Sequence, residues 1–192
     1  PMPTWQKNHA VSFQQGYLLI ITKKPFAETQ IFIRFGKVFE QTYTRFLDLQ
    51  KAEAQAREAQ IEAALERVRS RSMAMHKSEE LLEVINVVSN QLQQLDIRFG
   101  FVCFGVIHPQ GNLDFWMAVP GFDQPEKIHM PFVNNPITNS LIEAHKKGTR
   151  VLKDIFPKEV MLDWSKTLFE NNPDSQIMAQ SKEYIQESPG LV

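Results

Sequence analysis

The stretch Phe39-Glu40-Gln41-Thr42-Tyr43-Thr44-Arg45-Phe46-Leu47-Asp48-Leu49-Gln50-Lys51-Ala52-Glu53-Ala54-Gln55-Ala56-Arg57-Glu58-Ala59-Gln60-Ile61-Glu62-Ala63-Ala64-Leu65-Glu66-Arg67-Val68-Arg69 holds neither proline nor glycine, and most of its residues are strong helix formers. It lies in a longer stretch, Phe26 to His108, that contains no proline. The reading is one long helix from about Glu28 to His76, on the order of 70 Å at about 1.5 Å per residue. Every seventh residue from Leu47 is apolar: Ala54, Ile61, Val68, Met75 and Leu82. Most positions beside that spine are Glu, Gln, Lys or Arg, so the spine calls for a partner helix, and Leu47, Ala54, Ile61, Val68, Met75 and Leu82 form the expected dimer seam.

Before the helix, Trp5 to Thr22 reads as a β-hairpin: a strand around His9 to Gln14, a turn at Gln14-Gln15-Gly16, and a β-rich strand Tyr17 to Thr22. An isolated hairpin is marginal, so this one is expected to add to a sheet. Pro25 sits just ahead of the first helical turn, with Glu28 near the positive end of the helix dipole. Ile31, Phe35, Val38, Phe39, Thr42, Tyr43 and Phe46, spaced by three and four, predict a wide face that the helix buries before it becomes a rod.

After Arg69 the pattern loosens, and a break is expected near Lys77, with Ser78 as cap and Glu79-Glu80 in the first turn of a helix to Leu95. Its apolar face is Leu81, Leu82, Ile85, Val88, Leu92 and Leu95. The period then becomes extended. Phe99 to Ile107, the turn His108-Pro109-Gln110-Gly111-Asn112 and Leu113 to Val119 predict a hairpin; Lys127 to Val133 is a candidate third strand. Pro136 to Lys147 predicts a helix ended by Gly148, Arg150 to Ile155 a short strand, and Pro157 to Phe169 a helix with Val160, Met161, Trp164 and Leu168 on one face. The tail after Asn171 is polar, with a weak helical signal from Gln176 to Ile185.

Composition narrows the function. A net charge of -1 sets up no field for nucleic acid or anionic membrane, and the Arg residues of the long helix alternate with Glu. One cysteine, Cys103, allows no internal disulfide and no Cys-rich zinc cluster, which points to a reducing, cytoplasmic setting. Tyr17 to Ile21, the most apolar short run, is far below the ~20 residues that span a bilayer. The start at Pro1 reads as an excerpt from a longer chain.

The order helix, strand, turn, strand, strand, helix, strand, helix from Ser78 to Asn171 resembles the front half of a GAF-like sensor domain. The run Arg34 to Glu58, continuing through Glu66-Arg67-Val68-Arg69-Ser70-Arg71-Ser72-Met73-Ala74-Met75, is similar to the linker helices of Bacteroidetes-type multi-domain sensors related to histidine kinases. The resemblance implies an α+β fold: a coiled-coil-type linker helix plus a GAF-like antiparallel sheet flanked by helices, completed by strand exchange in a dimer if the hairpin of one chain adds to the sheet of another. It divides the chain into a hairpin ending a preceding module (1–25), the signalling helix (26–77), a sensor module (78–172) and a polar tail (173–192). It further implies a non-catalytic signal-transmission region of a two-component-type protein, partnered by its own copy and by other domains of the same protein. The alternative is a static dimerisation or interaction scaffold with no small-molecule ligand.

Phe101, Cys103, Trp116 and His129 lie on the three expected strands that would line a GAF-like pocket, and they are the candidate ligand set; the plainer reading makes the first three core and His129 a surface or hydrogen-bonded residue. No metal is expected, since the five histidines show no ligand spacing, and no cofactor is implied beyond an unnamed small molecule. His76 is followed by Lys77-Ser78 rather than an acid, unlike a phosphoacceptor, and no glycine-rich nucleotide motif or GxSxG occurs. Any kinase activity would lie outside this chain.

Overall fold

A computed structural model describes residues 5–122 and 124–179. The fold is mixed α and β, in two compact units, Pro1–Ile61 and Glu62–Val192.

In the first unit, β1 (Lys7–Phe13) and β2 (Gly16–Thr22) form the expected antiparallel hairpin, with His9 opposite Ile20 and Val11 opposite Leu18. Among the described residues the two strands pair only with each other. Helix α1, Thr29–Met73, follows as a single helix of 45 residues, of which Thr29–Ile61 belongs to the first unit and Glu62–Met73 to the second. The hairpin sits on the stripe Phe32, Gly36, Glu40 and Thr44. The rings of His9 and Phe26 lie 4.9 and 4.8 Å from that of Phe32. Glu40 accepts the Gln14 backbone N–H at 3.1 Å, and the Gln15 amide donates to Thr44 Oγ1 at 3.2 Å. Gly36 is buried because it has no side chain: a Cβ there would collide with Val11. The face expected from periodicity to be buried is a different one. Phe35, Val38 and Phe39 are 57%, 58% and 53% exposed, and Ile31, Tyr43 and Phe46 are exposed as well. The correction follows from the hairpin's need for close backbone approach, which a stripe containing Gly36 allows and a stripe of phenylalanines does not.

In the second unit, the end of α1 and α2 (Leu81–Gln94) are joined by a turn and a short 3-10 segment, Ser78–Glu80, so the break expected near Lys77 is present. Ser78 is not its cap; instead Glu80 accepts the His76 backbone N–H at 3.1 Å. Arg67 Nη1 donates to Gln91 Oε1 at 2.7 Å, and Arg71 pairs with Glu83. The heptad spine is therefore divided: Leu47, Ala54, Ile61 and Val68 are on α1, Met75 is in the turn and Leu82 is on α2.

Strands β3 (Val102–Ile107), β4 (Leu113–Ala118) and β5 (Glu126–Met130) form an antiparallel sheet in that order. Period-two alternation sends Leu113, Phe115 and Met117 of β4, with Ile128 and Met130 of β5, to one face, where they form the core with Leu168, Ile177 and Met178. Full burial of side chains such as Met130 and Ile128 stabilises by roughly 1.5–3 kcal/mol apiece. Helix α3 (Pro136–Lys146) starts at Asn135, whose side chain accepts the Ile137 N–H at 2.9 Å, and ends at Gly148 with φ of 65°. Helix α4 (Lys158–Asn171) supplies Leu168 and Trp164 to the core. The predicted strand Arg150–Ile155 does not form; the segment is irregular, and Ile155 is fully exposed. Its apolar residues suggested a strand, yet no sheet edge receives it. Residues 176–179 are helical, and the rest of the predicted tail helix lies outside the described residues.

Candidate functional site

The alternation that fills the core leaves Asp114, Trp116, Lys127 and His129 on the other face of the sheet, where Asp114 is opposite His129 and Trp116 opposite both Phe104 and Lys127. Lys127 Nζ lies 5.0 Å from the Trp116 ring centre, and the Phe104 ring lies 5.9 Å from it. The result is an aromatic pair capped by a cation, a geometry that contributes about 0.5–1 kcal/mol at an exposed position.

Asp114, only 8% exposed, is the hub beside that pair. Its Oδ1 is 2.7 Å from His129 Nδ1; its Oδ2 is 3.0 Å from Lys127 Nζ and 3.2 Å from His108 Nε2. Partial burial by itself would raise the carboxyl's pKa, but the hydrogen bonds from His129, Lys127 and His108 and the nearby Lys127 charge outweigh it and hold the group well below the usual carboxylate range. Such a carboxylate is a weak base, suited to orienting cationic groups rather than to proton abstraction. Asn172, just past α4, accepts the His129 backbone N–H at 2.9 Å and donates to the His129 and Leu168 carbonyls at 2.7 and 2.8 Å. One amide thus ties the strand that carries His129 to the end of a core helix.

The four residues expected to share a pocket are divided by the sheet. Trp116 and His129 are on the face turned away from that core. Cys103 pairs with Met117 and packs on the core, where burial pushes its thiol pKa up and makes it a poor nucleophile. Phe101 precedes β3 and is about half exposed. Asp114, His108 and Lys127 were not among the residues expected for the site; an Asp two residues before Trp116 in an otherwise apolar strand is the signal that points to them. His108 also borders an open depression of about 410 Å³ lined by Ile107, Phe132, Ile142, His145 and Lys146. Among the described residues no group of His, Cys, Asp or Glu is placed to hold a metal ion, and no helix is long and apolar enough to cross a membrane.

No protein-family model, no curated protein and no solved structure matches this chain.

Proposed function

We propose that this chain is a non-catalytic sensory and signal-transmission region of a multi-domain, two-component-type sensor protein, cytoplasmic and dimeric through α1. The observation that carries this reading is α1 itself: a helix of 45 residues, polar over most of its second half, that belongs to a hairpin unit at one end and to an α/β unit at the other. A helix that long gains little from its own core contacts and is explained by a partner helix. The GAF-like assignment of the second unit is supported by the succession α2, antiparallel β3-β4-β5, α3, α4, and the sheet face that carries Asp114 and Trp116 is where a ligand would act. Binding there would bias α2 and the end of α1 between two packings, which two paired α1 helices would pass on as a small rotation.

Heptad phasing tests the proposal. With a sensor module of known stimulus fused in phase ahead of the chain and a histidine-kinase core behind it, inserting seven residues after Gln55 should preserve the kinase response to that stimulus, and inserting three or four should invert or abolish it. Output indifferent to every insertion would sink the transmission reading.

A static scaffold is the second reading, favoured by one observation: among the described residues β2 has an unpaired edge, and it exposes Tyr17, Leu19 and Ile21. In that case the hairpin of one copy would add to the β3 edge of another, joining two chains head to tail.

A further inference from the structure

We propose that two copies of this chain associate through the stripe Phe35, Phe39, Thr42, Phe46 and Leu49 of α1. The inference rests on the dimeric reading above and gives that dimer an interface different from the sequence spine.

These positions follow the alternating four-and-three spacing of a coiled-coil seam. Phe35, Phe39, Phe46 and Leu49 are 57%, 53%, 48% and 53% exposed, although each is a residue type that normally avoids water. The hairpin does not cover them, because it occupies the stripe through Phe32, Gly36, Glu40 and Thr44. Ile31 and Val38 widen the exposed seam on one side and Tyr43 on the other.

The area is that of an interface. At about half exposure, these aromatic and aliphatic side chains present on the order of 700 Å² of apolar surface, close to the ~800 Å² that each partner contributes to a standard complex. The occupant is a second copy because a seam of this spacing is its own complement: a twofold axis sets the same stripe against itself and closes the assembly as a dimer. The sequence spine is a weaker candidate. Its Ala54 offers one methyl, Met75 and Leu82 are off the helix, and Val68 is already half-buried one turn from Ala64, which is 5% exposed.

Sedimentation equilibrium on the intact chain tests this with wild type, Phe39→Glu/Phe46→Glu and Ala54→Glu. The altered side chains are exposed in the monomer, so far-UV circular dichroism should show helicity unchanged; if the glutamate pair lowers it, Phe39→Gln/Phe46→Gln is read by the same criteria. The expected result is a wild-type dimer, a dissociation constant raised roughly 100-fold or more by the double variant, since each charge is forced into a desolvated seam, and little change with Ala54→Glu. A dimer that survives the double variant overturns the seam while leaving the dimeric reading intact. A wild-type chain that stays monomeric overturns both.

Discussion

At the scale of single residues, Asp114 organises the sheet face turned away from the core. Three side chains, two from β5 and one from the β3–β4 turn, converge on its carboxylate, and all three lose their charged partner if it is neutralised. Asp114→Asn should therefore cost about 1–3 kcal/mol at pH 7 in a denaturant titration, the usual range for a charged hydrogen-bonded group. The sign of its pH dependence follows from a lowered pKa. Unfolded, an Asp titrates near 4; folded, this one titrates well below that value, so its stabilisation is complete above about pH 5 and is lost as the pH falls through 4 toward the folded pKa. The variant should be less stable than wild type at neutral pH and nearly equal to it in strong acid. Equal stability at pH 7 would mean that the cluster only decorates the surface. Strand existence was legible from residues such as Leu113, Phe115 and Met117, whereas the Asp114 hub was not. It depends on the β3-β4-β5 register, which brings His129 from fifteen positions away and Lys127 from thirteen, and alternation along one strand says nothing about what stands opposite.

At the scale of elements, the docking of the hairpin on α1 turns on Gly36. In a solvent-facing helix Gly→Ala gains about 1 kcal/mol of helix propensity. Here the new Cβ meets Val11, so Gly36→Ala should instead loosen the hairpin, by about 1–2 kcal/mol in amide hydrogen exchange of β1 and β2. Combining it with Val11→Ala should relieve most of that penalty; strictly additive effects would show that the two do not touch. The same element shows where pattern reading stops. Composition alone identified the helix, its start near Pro25 and its break before Ser78, because propensity and proline placement are local properties. The wide apolar face from Ile31 to Phe46 is exposed in the single chain rather than buried, since periodicity ranks faces by hydrophobicity and is blind to close packing at a glycine. Cys103 packs on the core, as its plainer reading had it, while Trp116 does not: one residue of register decides which face of the sheet a side chain takes, and Trp116 and Cys103 have opposite parity in the pairing.

At the scale of the whole molecule, the claim that matters is that α1 pairs with its own copy in register, so that what happens at one end of the helix can be felt at the same level in both chains. Antiparallel pairing through the Phe35–Leu49 stripe would join the chains but could not carry a common rotation. Gln60 is exposed and lies on α1 well beyond the Phe35–Leu49 stripe, so it separates the two arrangements. The decisive measurement is the dipolar distance between spin labels on Gln60→Cys in a Cys103→Ser background. In-register parallel helices, packed 8–10 Å apart, should hold the two labels within about 20–25 Å. Antiparallel helices crossing near Thr42 would hold them roughly 50 Å apart at about 1.5 Å per residue, and that distance, or the absence of any dipolar modulation, would contradict the transmission account.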